Sequence, residues 1–270
     1  MHADASRAVQ PLRFFWKILF GIARLTWMES ARNRLPGALL LLIGLGWGLA
    51  AFLEEAAVTE TVQTQSAILA ALFRLAAVFL VSVATIAGSA REFQDRLVEL
   101  LLALPIPRSA HFLGKLLGYA LAACGVALLF GAALLPFAPV QQVVLWTLSL
   151  ASELLLMVAL GLVLILTLPQ VPLALTVAMG FYLLARSIGA LILMAAGPLP
   201  GHLSTAGQWE VALLTALSWL LPGLEQFTPT AWLVYHTGHW QDLLPILRET
   251  AIYLFFIVSI GLFDLYRKNF

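Results

Sequence analysis

Charge is what this sequence has least of. Only 11% of its 270 residues are Asp, Glu, Lys or Arg, against about a quarter in a soluble domain. With 61% hydrophobic residues and a mean hydropathy of +0.95, the chain does not have water as its main solvent. Cysteine is nearly absent as well. The single one, Cys124, excludes an intrachain disulfide and a cysteine metal cluster, and its apolar surroundings make it a small packing residue. Enzyme signatures are missing too: there is no GxxxxGK[ST] phosphate loop, no HExxH and no GxSxG. Without a phosphate loop the chain is not expected to hydrolyse ATP by itself. No A-x-A site follows the N-terminal region, and Arg13, Lys17, Arg24, Arg32 and Arg34 run through its apolar part, so a cleavable signal peptide is not expected. There is no fixed-period repeat and no sign of a second domain.

What is present is apolar and long. A bilayer-crossing helix needs about 20 mostly apolar residues, and six such stretches lie at 36–54, 67–89, 113–137, 143–168, 171–196 and 244–265. Lys and Arg gather before the first span, between spans two and three (Arg91, Arg96, Arg108, Lys115) and after span six (Arg267, Lys268). The loops after spans one, three and five have none, and the first holds Glu54, Glu55 and Glu60 instead. The positive-inside rule then places both termini in the cytoplasm. The sequence predicts an all-α polytopic membrane protein with six transmembrane helices, residues 1–35 forming an N-terminal interface helix and 36–270 the six-span bundle.

Within 11–33, Arg13, Lys17 and Arg24 fall in one narrow arc and Phe15, Ile18, Ile22 and Leu25 lie opposite, the pattern of an amphipathic helix in the cytoplasmic interface. The segment 197–243 is long and aromatic, with Trp209, Trp219, Phe227, Trp232, Tyr235 and Trp240 around the apolar run VALLTALSWLLPGL. That run is too short to cross a bilayer, so short extracytoplasmic helices between spans five and six are expected. Three ionisable residues fall inside apolar spans. Glu153 and Arg186 both lie about 16 residues from the tight turn Leu168-Pro169-Gln170-Val171-Pro172, so they share a depth and are expected to pair. A pair of that kind predicts that mutating either alone does more harm than neutralising both. Arg74, nearer the outer end of its span, is expected to snorkel outward. Gly114 and Gly118 in GKLLG permit close helix packing, and this spacing in an apolar helix also marks some dimer faces.

The densest charge between apolar spans is in SAREFQDRLVELLLALPIPRSAHFLGK. On a helical wheel Phe93, Leu97, Leu100, Leu101 and Leu104 share one face, Arg91, Glu92, Asp95, Arg96 and Glu99 take the opposite one, and Pro105 and Pro107 end the helix. Such a segment lies along a membrane surface and offers its charged side to a soluble partner. From Arg91 to Tyr119 it resembles the ABC-2 type permeases, membrane subunits of ATP-binding-cassette exporters. They carry an acidic, leucine-rich segment after span two, then a proline-arginine turn and a leucine-glycine-lysine entry into span three, here EFQDRLVELLLALPIPRSAHFLGKLLGYAL. Glu29-Ser30-Ala31-Arg32-Asn33-Arg34 matches the family's arginine-asparagine-arginine end to a first cytoplasmic helix. One departure is visible: many members lead with Glu-x-x-x-Gly-Thr, and here Phe-Gln-Asp-Arg follows Glu92.

The resemblance implies a single permease domain, non-catalytic by itself, in a bacterial inner membrane. Arg91, Glu92, Asp95, Arg96 and Glu99 would form a cytoplasmic coupling helix resting on a separate ATPase, with the interface helix and its Arg13, Lys17, Arg24, Arg32 and Arg34 flanking it. It also implies two ATPase subunits, which would carry ATP and magnesium, and a second permease copy or a paralogue. Membrane lipids complete the expected partners, and nucleic acid is not among them. The alternatives are an integral membrane enzyme acting on lipid through His236, His239, Glu225 or Asp242 at the outer face, or an assembly factor using the same helices as scaffold.

Overall fold

The structure, a computed structural model, describes residues 3–56, 61–94, 107–168, 170–196 and 205–267, with side chains left out for 3–14, 56, 93, 94, 108 and 205–208. In chain order these form α1 (Ala3–Arg32), α2 (Leu35–Ala56), α3 (Thr61–Gln94), α4 (Arg108–Leu134), α5 (Val140–Thr167), α6 (Val171–Ala196) and α7 (Thr205–Leu220). A 3₁₀ turn (Leu224–Gln226), α8 (Thr230–Tyr235), a second 3₁₀ turn (Trp240–Asp242) and α9 (Leu243–Arg267) complete the chain. No strand occurs among the described residues. Prolines mark three helix starts. Pro107, Pro139 and Pro229 stand in extended conformation immediately before α4, α5 and α8, where a fixed φ and a missing N–H cost nothing.

Six helices are long and apolar enough to cross a membrane: Leu35–Glu55, Thr61–Glu92, Ser109–Leu134, Val140–Thr167, Val171–Ala196 and Trp240–Arg267. They coincide with the six expected stretches, and the protein is transmembrane. The second is the outlier in length. The 34 residues of α3 would reach about 50 Å, well beyond the roughly 30 Å hydrocarbon layer. Its excess carries Arg91 and Glu92, which are therefore the last turn of α3 and not the start of a separate helix.

The most buried span is α5, with 61% of its apolar window enclosed against 17% for both α2 and α9, and this makes it the axis of the bundle. It packs against α3, α4, α6, α8 and α9. Apolar contact alone does not drive helices together in lipid, so interlocking side chains and hydrogen bonds must. Phe73 of α3 stacks on Phe130 of α4 with centroids 4.9 Å apart. The Trp47 indole N–H donates to the Ala133 carbonyl at 3.1 Å, and the Gln65 amide donates to the Ala50 carbonyl at 2.8 Å, tying α2 to its neighbours. The remaining faces of α2 (Leu40, Leu41, Leu45, Phe52) and α9 (Phe255, Phe256, Ile260, Phe263) point outward as apolar surface.

Helix α1 forms one continuous helix along α4. Its buried line is Leu19, Ala23, Thr26 and Ser30, and it differs from the expected apolar face. Ile22 is half-buried while Leu25 is 68% exposed. The cause lies on α4, where Gly114 and Gly118 form a shallow trough. A Cβ on Gly118 would stand 2.6 Å from the Thr26 Cβ and 2.7 Å from the Ala23 carbonyl. Small side chains gain the closest backbone approach there, so they win over Leu25. GKLLG is thus occupied within the chain.

Candidate functional site

Between α6 and α9 the chain turns inward. Residues 221–228 leave the end of α7, pass through the first 3₁₀ turn and enter the bundle, where Leu221, Leu224, Phe227 and Thr228 are buried. Three helices hold the tip. Glu153 of α5, fully enclosed, lies 3.5 Å from the Arg186 guanidinium of α6. Arg186 donates to the Leu224 carbonyl at 2.7 Å and to the Phe227 carbonyl at 2.8 Å. The Thr228 hydroxyl donates to Glu153 Oε2 at 3.0 Å, and its N–H donates to the Ser149 hydroxyl at 2.8 Å. From α3, Arg74 donates to the Thr228 carbonyl at 3.3 Å. The phenol of Tyr182, on α6, sits beside the Glu153 carboxylate.

The expected Glu153–Arg186 pair is therefore present, and it does more than neutralise charge. A buried carboxylate needs its lone pairs satisfied, and a loop entering an apolar bundle needs its carbonyls satisfied. One constellation meets both needs. Arg74 does not snorkel outward, because the inserted loop offers it a carbonyl acceptor in the bundle. The backbone shows how firmly the tip is held. Thr228 has φ +48°, a left-handed conformation costing a β-branched residue about 1–3 kcal/mol.

A second anchor lies three turns of α5 away. Gln142 donates to the carbonyls of His236 and Gly238 at 3.2 and 3.1 Å, and its own carbonyl accepts the Gly238 N–H at 3.1 Å. Gln142, Ser149 and Glu153 stand at i, i+7 and i+11, one face of a helix. Sequence reasoning singled out only the last. The signal for the others was available as polar residues in register with Glu153 on one face of a mostly apolar helix. At the other end of the loop, the Tyr253 hydroxyl of α9 donates to the Leu221 carbonyl at 2.8 Å.

The aromatic residues of 209–240 divide. Trp209, Trp219, Tyr235 and Trp240 are exposed, whereas Phe227 and Trp232 are core residues. The residues of the enzyme alternative do not converge. His236 caps α8 with φ +55° and His239 donates its N–H to Asp242 at 2.8 Å, while Glu225 lies against Gly189 of α6. No group of three His, Cys, Asp or Glu side chains suited to a metal occurs among the described residues.

The opposite end of the bundle carries an ion pair. Glu92 at the end of α3 forms an ion pair with Lys115 in the second turn of α4, both largely buried, and Arg91 is exposed with Nε donating to the Ala87 carbonyl at 3.4 Å. This bridge joins the two helices that flank residues 95–106. Asp95, Arg96 and Glu99 lie outside the described residues. Lys17, Arg24, Arg32 and Arg34 are all exposed on or just after α1, and Arg13 belongs to its first half, its side chain outside the description. No known protein-family model matches the chain, and no curated protein does.

Proposed function

We propose that this protein is the membrane-spanning subunit of an ATP-binding-cassette exporter of the ABC-2 type, moving a substrate across a bacterial inner membrane at the expense of ATP hydrolysed by a separate subunit. The observation that carries the proposal is the charged break between the second and third spans, the densest charge between apolar spans in the sequence. Its two flanking helices are bridged by Glu92 and Lys115, and α1 packs onto the same stretch of α4. A force applied to the segment between them would therefore move α1, α3 and α4 together. Both termini and this break would face the cytoplasm, and the inserted loop 221–228 would close the outer end.

The chain has no phosphate loop, so the hydrolysing subunit must be a partner. Purifying the protein from its native host should bring down a Walker-type ATPase together with a second permease chain. Reversing Asp95 or Glu99 to Lys should leave the complex folded but separate ATP hydrolysis from transport. Isolation of the chain without any ATPase, or normal coupling in both reversed variants, would remove the basis of the proposal. The lipid-enzyme alternative gains no support, because Glu225 lies against Gly189 of α6 while His239 and Asp242 meet each other at the second 3₁₀ turn.

A further inference from the structure

We propose that α1 reads anionic lipid, its outward face binding negatively charged headgroups at the membrane surface. The proposal does not depend on the transport function and uses only α1 and its seat on α4. That seat fixes the rotation of the helix. Leu19, Ala23, Thr26 and Ser30 face inward, and the backbones at Gly114 and Gly118 approach too closely for α1 to roll.

With rotation set, two adjacent stripes of side chains face away from α4, with the exposed Leu25 beyond the second. Trp16, Phe20 and Trp27 are 49%, 58% and 47% exposed, and they fall within about 40° of arc at 100° per residue. Trp16 and Phe20 stack with centroids 5.8 Å apart, forming one aromatic ledge. The next stripe, centred about 70° further round, carries exposed Lys17 and Arg24. Indole rings settle at headgroup depth, where one edge is wet and the other apolar, and flexible cations beside them reach the phosphates.

Charge selects the occupant. Residues 15–28 contain no Asp or Glu. The ion pairs seen among the described residues, Glu92–Lys115 and Glu153–Arg186, leave Lys17 and Arg24 without a carboxylate. A zwitterionic headgroup brings its own cation to such a stripe, whereas an anionic one brings only acceptors. Each Lys or Arg near an anionic surface contributes about a fivefold gain in association.

The test places a fluorophore where it disturbs nothing. A side chain at Gly21 would meet open space, so Gly21→Cys in a Cys124→Ala background accepts an environment-sensitive label, and Ala31→Cys, at another exposed position, gives an independent second site. The full chain is reconstituted in vesicles containing brominated phosphatidylglycerol or brominated phosphatidylcholine. Quenching should favour the anionic lipid, and the preference should fall about fivefold in each of K17Q and R24Q. It should also shrink as salt rises. Equal quenching by both lipids, or a preference unchanged in K17Q/R24Q, would overturn the proposal. So would absence of quenching by either lipid, because the ledge would then be covered by protein.

Discussion

A threonine in the left-handed region persists only where its surroundings over-determine it, and Thr228 is gripped from three helices. Arg74 of α3 holds its carbonyl, Ser149 and Glu153 of α5 hold its N–H and hydroxyl, and Arg186 of α6 donates to the hydroxyl oxygen at 3.4 Å. Removing that hydroxyl leaves the Glu153 carboxylate short of a donor, so Thr228→Val should cost about 1–3 kcal/mol. Thr85 provides the opposite case. Its hydroxyl is equally buried but carries no hydrogen bond among the described residues, so Thr85→Val should be neutral or stabilising. Thermal unfolding followed by tryptophan fluorescence reads both, and shifts of equal sign would contradict this account. Glu153→Ala and Arg186→Ala should each lose about 3–5 kcal/mol, the usual penalty for orphaning a buried charge. Neutralising both should not restore stability, because Leu224 and Phe227 would still lack the donor that Arg186 supplies. A double mutant as stable as the wild type would mean that the pair exists only for charge balance. Glu153 and Arg186 were legible in the sequence because a charge inside an apolar span is conspicuous. Thr228 was not, since its role comes from a turn that no periodicity encodes.

At the scale of elements, the helices and their order follow from hydropathy, and what the sequence left open was rotation. Helix α1 shows why. Its largest apolar side chains imply one buried face, yet the trough meets Leu19 and Ile22 at Gly114 and the small Ala23 and Thr26 at Gly118, which leaves Leu25 exposed. Close approach depends on the partner helix, which a wheel drawn for α1 alone cannot contain. Gly118→Leu should therefore lift α1 away from α4, with a loss of about 1–3 kcal/mol or more. A cysteine placed at Thr26, now 4% exposed, should become reactive toward a water-soluble maleimide in that background. Gly21→Leu, made where space is open, is the matched control and should change nothing. Continued protection of position 26 in Gly118→Leu would show that α1 is held by something other than this trough.

Across the whole molecule, the two ends of the bundle are built differently. One gathers arginines and the Glu92–Lys115 bridge; the other is closed by an inserted loop. Reversal of Asp95 or Glu99 belongs to this scale, because the charged face on which they lie is expected to meet water and not to support the core. On the proposed transport function, a loss confined to coupling, with melting temperature and helix content unchanged, is the expected outcome in reconstituted assays. One consequence concerns α5, whose Gln142 and Glu153 grip the α7–α9 connection, at Gly238 and Thr228, from points about 16 Å apart along one line. Adding or deleting a single residue between them would turn one grip about 100° away from the other. Side chains along that stretch can change identity one at a time, but its length cannot drift. Among the spans, α5 should be the one in which insertions and deletions are least tolerated.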